Sequence, residues 1–184
     1  EEKYINDLPQ GPLYSLEVIN LFGINERWTL IAWLQPEDLK ELKEQLKILS
    51  WAKKLHIDIM DGKFVPAETF DLNESRQIIQ TTSLPVDTHL MVENPDQVAI
   101  EYAMLGSTSV TFHLEASSQP SETLVTIRKH GAKASLAVKP NTPVELLFDY
   151  VDYADMFLVM TVEPGAGGQR FLENVLPKIK ILRS

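Results

Sequence analysis

The sequence predicts a parallel α/β protein, a (β/α)8 barrel in which each strand is followed by a helix. Three observations carry that prediction. Short apolar runs bounded by Gly, Pro or polar residues alternate with amphipathic segments. The centres of these runs recur roughly 22–31 residues apart, the length of a compact βα unit. Finally, two successive runs are apolar on one face and carry His and Asp on the other, which suits strands with helices outside and a lined lumen inside.

The elements follow in order. Residues 1–27 form a lead-in, where Leu16, Val18, Ile19, Leu21 and Phe22 suggest a short helix covering the barrel bottom. The barrel domain spans 28–184. Its strand candidates are 29–34, 55–60, 86–92, 109–113, 133–138 and 156–162. Pro36-Glu37-Asp38 opens a helix over 39–49, with Leu39, Leu42, Leu46 and Leu49 at helical spacing. Asn94 is the expected N-cap of a helix over 97–105, and Pro95 suits its first turn. Ser121 opens 123–130, Thr142-Pro143 opens 144–150, and a last helix covers 173–183. His130 before Gly131 fits a C-terminal cap. Six such units leave two raw sheet edges, so two further units, roughly 45–50 residues at this spacing, are expected beyond them.

Composition narrows the function classes. The 184 residues carry a formal net charge of -9, with 44% hydrophobic and 23% charged residues, as globular domains do. The longest basic clusters are Lys53-Lys54 and Lys178-Ile179-Lys180, so a nucleic-acid backbone is not an expected partner. There is no Cys, which excludes disulfides, thiolate metal sites and cysteine nucleophiles within these residues. No run reaches the roughly 20 apolar residues of a membrane span. Glu1-Glu2-Lys3 leads into a polar segment unlike a secretory signal, and a soluble cytoplasmic protein is expected.

The chemistry-bearing residues lie in the second and third strands. In Leu55-His56-Ile57-Asp58-Ile59-Met60, side-chain alternation puts His56, Asp58 and Met60 on one face. Asp87, His89 and Met91 share a face in the next strand. Charged groups in a lumen are costly unless paired or metal-bound. A His, His and carboxylate set therefore reads either as a satisfied ion-pair cluster or as ligands for a divalent cation such as zinc, iron or manganese. Asp58 could also serve as a general base. After the sixth strand, Glu163-Pro164-Gly165-Ala166-Gly167-Gly168-Gln169 reads either as a plain turn or as a loop whose backbone N–H groups crowd an anion ahead of a helix. His113, on an apolar strand, reads as a core histidine or one behind the ligands rather than as a fourth ligand.

Four motifs in series give the sequence a family resemblance. His56-Ile57-Asp58-Ile59-Met60-Asp61-Gly62-Lys63-Phe64-Val65-Pro66, His89-Leu90-Met91-Val92-Glu93-Asn94-Pro95, Thr111-Phe112-His113-Leu114-Glu115-Ala116 and Leu158-Val159-Met160-Thr161-Val162-Glu163-Pro164-Gly165 resemble, in order and spacing, motifs of ribulose-phosphate 3-epimerases over about residues 29–184. The resemblance implies a TIM barrel of the ribulose-phosphate-binding type, present here as about six units. It implies an isomerase of carbohydrate metabolism, in the pentose phosphate pathway, that inverts C3 of D-ribulose 5-phosphate to D-xylulose 5-phosphate through a cis-enediolate. It implies one divalent metal ion (Zn, Fe, Mn or Co) held by His56, Asp58 and His89, with Asp58 as the acid/base on one face. His89, Gly165, Ala166, Gly167 and Gly168 would touch the phosphorylated ketose, and Met60, Met91 and Met160 would line the pocket. The family's second catalytic Asp follows strand seven, beyond Ser184. Two further departures bear on substrate: Ala32-Trp33-Leu34-Gln35 stands where the family has a Ser-containing motif, and Ala166 replaces an aromatic. An epimerase of another ketose phosphate, such as allulose 6-phosphate, and a non-catalytic barrel-derived protein are the alternative readings. Homo-oligomerisation stays open.

Overall fold

The structure, a computed structural model, describes residues 14–15, 31–32, 54–166 and 169–183. The lead-in helix, the 39–49 helix and Trp33 lie outside these. Five strands form one parallel sheet in sequence order: β3 (Leu55–Met60), β4 (Val86–Met91), β5 (Ser109–His113), β6 (Lys133–Val138) and β7 (Met156–Val159). Between them run α1 (Leu72–Thr81), α2 (Pro95–Leu105), α3 (Pro120–Lys129) and a 3-10 helix over Val144–Tyr150, and α4 (Leu176–Arg183) follows β7. Two short strands, β1 (Tyr14–Ser15) and β2 (Ile31–Ala32), pair antiparallel with each other. Of the strand expected over 29–34, the described part is Ile31–Ala32, which pairs antiparallel with β1 and lies beside β3.

Alternation along the strands decides what goes where. Leu55, Ile57 and Ile59 of β3, Val86 and Leu90 of β4, Val110 and Phe112 of β5, and Ala134, Leu136 and Val138 of β6 enter one apolar core. The helices supply Ile78, Tyr102, Leu124 and Ile127 to it, all buried. Each Val, Leu, Ile or Phe side chain so removed from water stabilises the fold by about 1.5–3 kcal/mol before entropy is counted. The opposite face of the same strands holds His56, Asp58, Asp87, His89, Ser109, Thr111, His113 and Ser135.

Several local expectations are corrected. α1 has a capping box in which Asp71 accepts from the Glu74 N–H and Glu74 accepts from the Asp71 N–H. That pair is the sequence signal for a helix that periodicity passes over. Asn94 makes no side-chain cap; it takes a left-handed conformation (φ 53°) and turns the chain into Pro95, which does occupy the first turn. The 144–150 segment is 3-10 rather than α, because its buried anchors Val144 and Leu147 are three residues apart and eclipse on a three-residue turn. β7 stops at Val159 rather than 162: after Met160, whose N–H still reaches the Val138 carbonyl, the Thr161 carbonyl accepts from Leu172 of the returning chain. His130 is the C-cap residue of α3 as expected, with Gly131 left-handed after it (φ 88°).

Candidate functional site

The site is built where β3 lies beside β4. Their parallel register sets His56 against Asp87, Asp58 against His89, and Met60 against Met91. One-strand alternation therefore becomes a two-strand cluster: His56, Asp58 and His89 each offer a ligand atom, and these lie within 4.8 Å of one another. Asp58 Oδ1 is the centre, 3.3 Å from His56 Nε2 and 3.0 Å from His89 Nδ1. Those spacings are close to the roughly 3.4 Å between ligand atoms around a tetrahedral ion at ordinary metal–ligand lengths.

The remaining ring nitrogens are taken. His56 Nδ1 meets Asp87 Oδ2 at 3.0 Å, and Asp87 is itself held by the Ser109 hydroxyl and by Lys54 Nζ at 3.5 Å. His89 Nε2 meets His113 Nε2 at 3.0 Å, and His113 Nδ1 meets Glu115 Oε2 at 3.3 Å. His113 is fully buried, with the Phe64 ring 4.8 Å away between centroids and Lys139 Nζ over that ring at 3.8 Å.

Charge balance explains the titration behaviour. Burial works against ionised His56, but hydrogen bonds and charge from Asp58 and Asp87 overcome it and raise its pKa to about 10. Burial likewise opposes the Asp58 carboxylate, yet His56 and His89 hold it well below the usual carboxylate range. Asp87 is lowered in the same sense, against its burial, by His56, Lys54 and Ser109. Burial pulls His113 down to about 4, so it is neutral near pH 7. The cluster draws positive charge toward Asp58, and a divalent cation meets that demand with ligand types such ions accept. The residues present therefore fit a metal.

Met60 and Met91 are buried beside Val65, with Phe64 and Ala67 against them, at the end of β3 and β4 next to the cluster. Met160 is half-buried just past β7. In the Gly loop, Gly165 has φ 103° and comes so near Val65 that an added Cβ would lie 2.7 Å from the Val65 Cβ. Ala166 is exposed; Gly167 and Gly168 lie outside the described residues. Gln169 Nε2 donates to the carbonyls of Glu163 and Ala166 and closes the loop on itself. The expected helix does not open at this loop: a 3-10 turn over Glu173–Val175 comes first and α4 starts at Leu176, so no α-helix N-terminus directly follows the glycines. Sequence reasoning gives no role to Asp87 or Glu115, although each stands two residues from a site histidine.

Among solved structures, the fold is similar to a mutant tryptophan synthase alpha-subunit from Pyrococcus furiosus, with a TM-score of 0.57 at 17% identity over 82% of this chain and 72% of that one. With its parallel sheet and alternating helices, the molecule is of the (β/α)8 barrel class. Residues 30–184 match the Ribulose-phosphate 3 epimerase family, and the chain belongs to that family. It is 44% identical over 146 residues to a ribulose-phosphate 3-epimerase of Mycobacterium tuberculosis, covering 79% of this chain and 64% of the relative. It is 41% identical over 126 residues to the Bacillus subtilis enzyme of that name, covering 68% and 58%. The chain thus spans less than two thirds of the length of these relatives.

Proposed function

We propose that this chain carries the metal-binding half of the active site of a ribulose-phosphate 3-epimerase, an isomerase interconverting D-ribulose 5-phosphate and D-xylulose 5-phosphate. The observation that supports it most is the convergence of His56, Asp58 and His89 on one point within 4.8 Å. A divalent ion (zinc, iron, manganese or cobalt) bound there would supply the positive charge that stabilises the oxyanion formed when a carbon beside a carbonyl loses its proton. Asp58, at the centre of the cluster, takes the C3 proton as the general base on one face of the substrate. Epimerisation then needs a second acid on the opposite face of C3, a role the family resemblance gives to an Asp after the seventh barrel strand.

The buried Met60 and Met91, with Met160, form the soft apolar lining that excludes water from the reacting carbon. His89 adjoins the sugar, and backbone N–H groups of Gly165, Ala166, Gly167 and Gly168 hold the phosphate. The partner is a phosphorylated ketose, not nucleic acid or membrane, and the compartment is the cytoplasm. Among the described residues, no helix is long and apolar enough to cross a membrane.

The test is turnover of D-ribulose 5-phosphate by the full-length protein and its Asp58→Asn variant. We expect kcat to fall about 10²–10⁴-fold in the variant. Equal turnover by the two proteins would refute the assignment of Asp58.

A further inference from the structure

We infer that Asp61 is a positioning residue: its carboxylate clamps the loop 62–66 onto the segment after β4 and so holds Phe64 and Val65 as a wall of the pocket and the seat of the glycine loop. The effect on substrate rests on the epimerase reading above; the clamp itself does not. Three donors make it. Asp61 Oδ1 accepts the backbone N–H groups of Lys63 and Phe64, each at 3.0 Å. Its Oδ2 accepts the N–H of Glu93 at 2.8 Å, 32 positions away in the chain. One carboxylate thus ties together the loops that leave two neighbouring strands. Burial opposes its charge, but these bonds hold its carboxyl below the ordinary value.

The loop is also closed at its foot. The Thr69 N–H donates to the Met60 carbonyl at 3.1 Å, while the Thr69 hydroxyl accepts from the Met60 N–H and donates to the Asp58 carbonyl. Gly62, left-handed at φ 68°, donates to the Ala67 carbonyl at 3.0 Å. These bonds fix where the loop leaves β3, not where its tip points. Phe64 and Val65 are the tip. The Phe64 ring lies 4.8 Å from that of His113, and Lys139 Nζ stands 3.8 Å over its other neighbours at the ring centroid. Val65 is buried with Met60 and Met91, and it approaches Gly165 so closely that no Cβ fits there. The wall that Asp61 sets thus touches His113 on one side and the glycine loop on the other.

Gly62, Lys63 and Pro66 are exposed, so without the carboxylate the tip keeps only the packing of Phe64 and Val65 to oppose its conformational entropy. A substrate must then order the loop as it binds, and that cost falls on affinity. No group of the loop has a part in proton transfer. Loosening it therefore weakens ground state and transition state alike, which raises KM and leaves kcat. Two substitutions separate the arms of the clamp. Asp61→Ala removes both. In Asp61→Asn the amide oxygen keeps the Lys63 and Phe64 N–H groups, but the amide nitrogen is a donor and cannot accept from Glu93.

The experiment compares the full-length protein with its Asp61→Ala and Asp61→Asn variants, with thermal unfolding confirming that each folds. It measures steady-state turnover of D-ribulose 5-phosphate. By NMR it also measures the nuclear Overhauser contacts of the Val65 methyls with the Gly165 α protons and of the Phe64 ring with the His113 ring. We expect Asp61→Ala to raise KM about 10- to 100-fold with kcat within about threefold, and to lose both contacts. Asp61→Asn should raise KM by less than Asp61→Ala does, and by at least about threefold. Unchanged KM, a fall in kcat alone, or contacts that persist in Asp61→Ala overturn the inference. Should Asp61→Ala not fold, the KM of Asp61→Asn decides, with a rise supporting the clamp and no change refuting it. If the unaltered protein does not turn over D-ribulose 5-phosphate, the epimerase reading fails separately. In that case the two contacts decide, their loss on substitution supporting the clamp and their persistence refuting it.

Discussion

The strands β3–β5 and the flank that runs from the Val144–Tyr150 helix through β7 to α4 are built from similar residues but end in different states. In β3–β5, the outer face is packed apolar core, and the inner face is polar with its groups paired to one another. On the flank, Leu146, Phe148, Val151, Tyr153, Met156, Phe171, Leu176 and Ile181 are exposed; of the large exposed apolar side chains described, only Met104 lies elsewhere. β6 is the boundary. Its Ser135 sits between Thr111 of β5 and Met156 of β7, and its buried hydroxyl finds no hydrogen-bond partner among the described residues. What differs is cover, not composition: β3 and β7 both edge the sheet, but the helices over β3–β5 bury Ile78, Tyr102, Leu124 and Ile127 in the core, whereas α4 buries none of its residues.

Substitutions on either side of that boundary put the contrast to the test. The largest effect should come from Phe112→Ala on β5, a fully buried ring whose loss leaves a cavity. We expect about 3–5 kcal/mol of destabilisation by urea unfolding, and a loss under about 1 kcal/mol would mean the core there is not closely packed. Next comes Tyr102→Phe, which removes the hydroxyl bonded to Ser75 Oγ at 2.8 Å and strands a buried partner. About 1 kcal/mol should be lost, with no change in far-ultraviolet circular dichroism.

Asp96 gives a smaller, pH-dependent effect. Burial opposes its charge, but hydrogen bonds from Ser117, Ser118 and Thr123 hold its pKa below the ordinary value. A carboxyl depressed in the folded state adds stability above its unfolded pKa of about 3.9, and that stability is lost as pH falls through the folded value. Asp96→Asn should therefore flatten the acid limb of the stability curve below about pH 4 and leave its alkaline limb unchanged. A variant curve that stays parallel to the unaltered one down to low pH would exclude this role. The smallest effect is expected on the flank. Met156, 43% exposed, should tolerate replacement by Thr within about 0.5 kcal/mol in this chain, and a larger loss would show that the flank is covered in solution.

How much of the fold is legible in the sequence varies by element, and for identifiable reasons. The bounds of β3, β5 and β6 can be read residue for residue, because each is a short apolar run with punctuation at both ends. Periodicity misses helix α1 because its apolar residues are few; Leu72, Ile78 and Ile79 make a weak signal, and the Asp71–Glu74 capping box is the better clue. For the site, alternation alone places His56 with Asp58 and Asp87 with His89. It does not say that Asp58 stands opposite His89, since register between strands is set by packing of the whole sheet.

The order of βα units, the face on which each strand carries its His and Asp and, through four motifs, the family are all written in the chain of residues. These are local properties, governed by side-chain periodicity within single segments. Folding in three dimensions was needed to seat Asp58 Oδ1 between two imidazole nitrogens and to bring Asp87 and, through His113, Glu115 to their far sides. The contacts that do so across strands join residues 24 to 31 positions apart in the chain. Hydrogen bonding at about 3 Å depends on strand register and rotamer, which no single segment encodes.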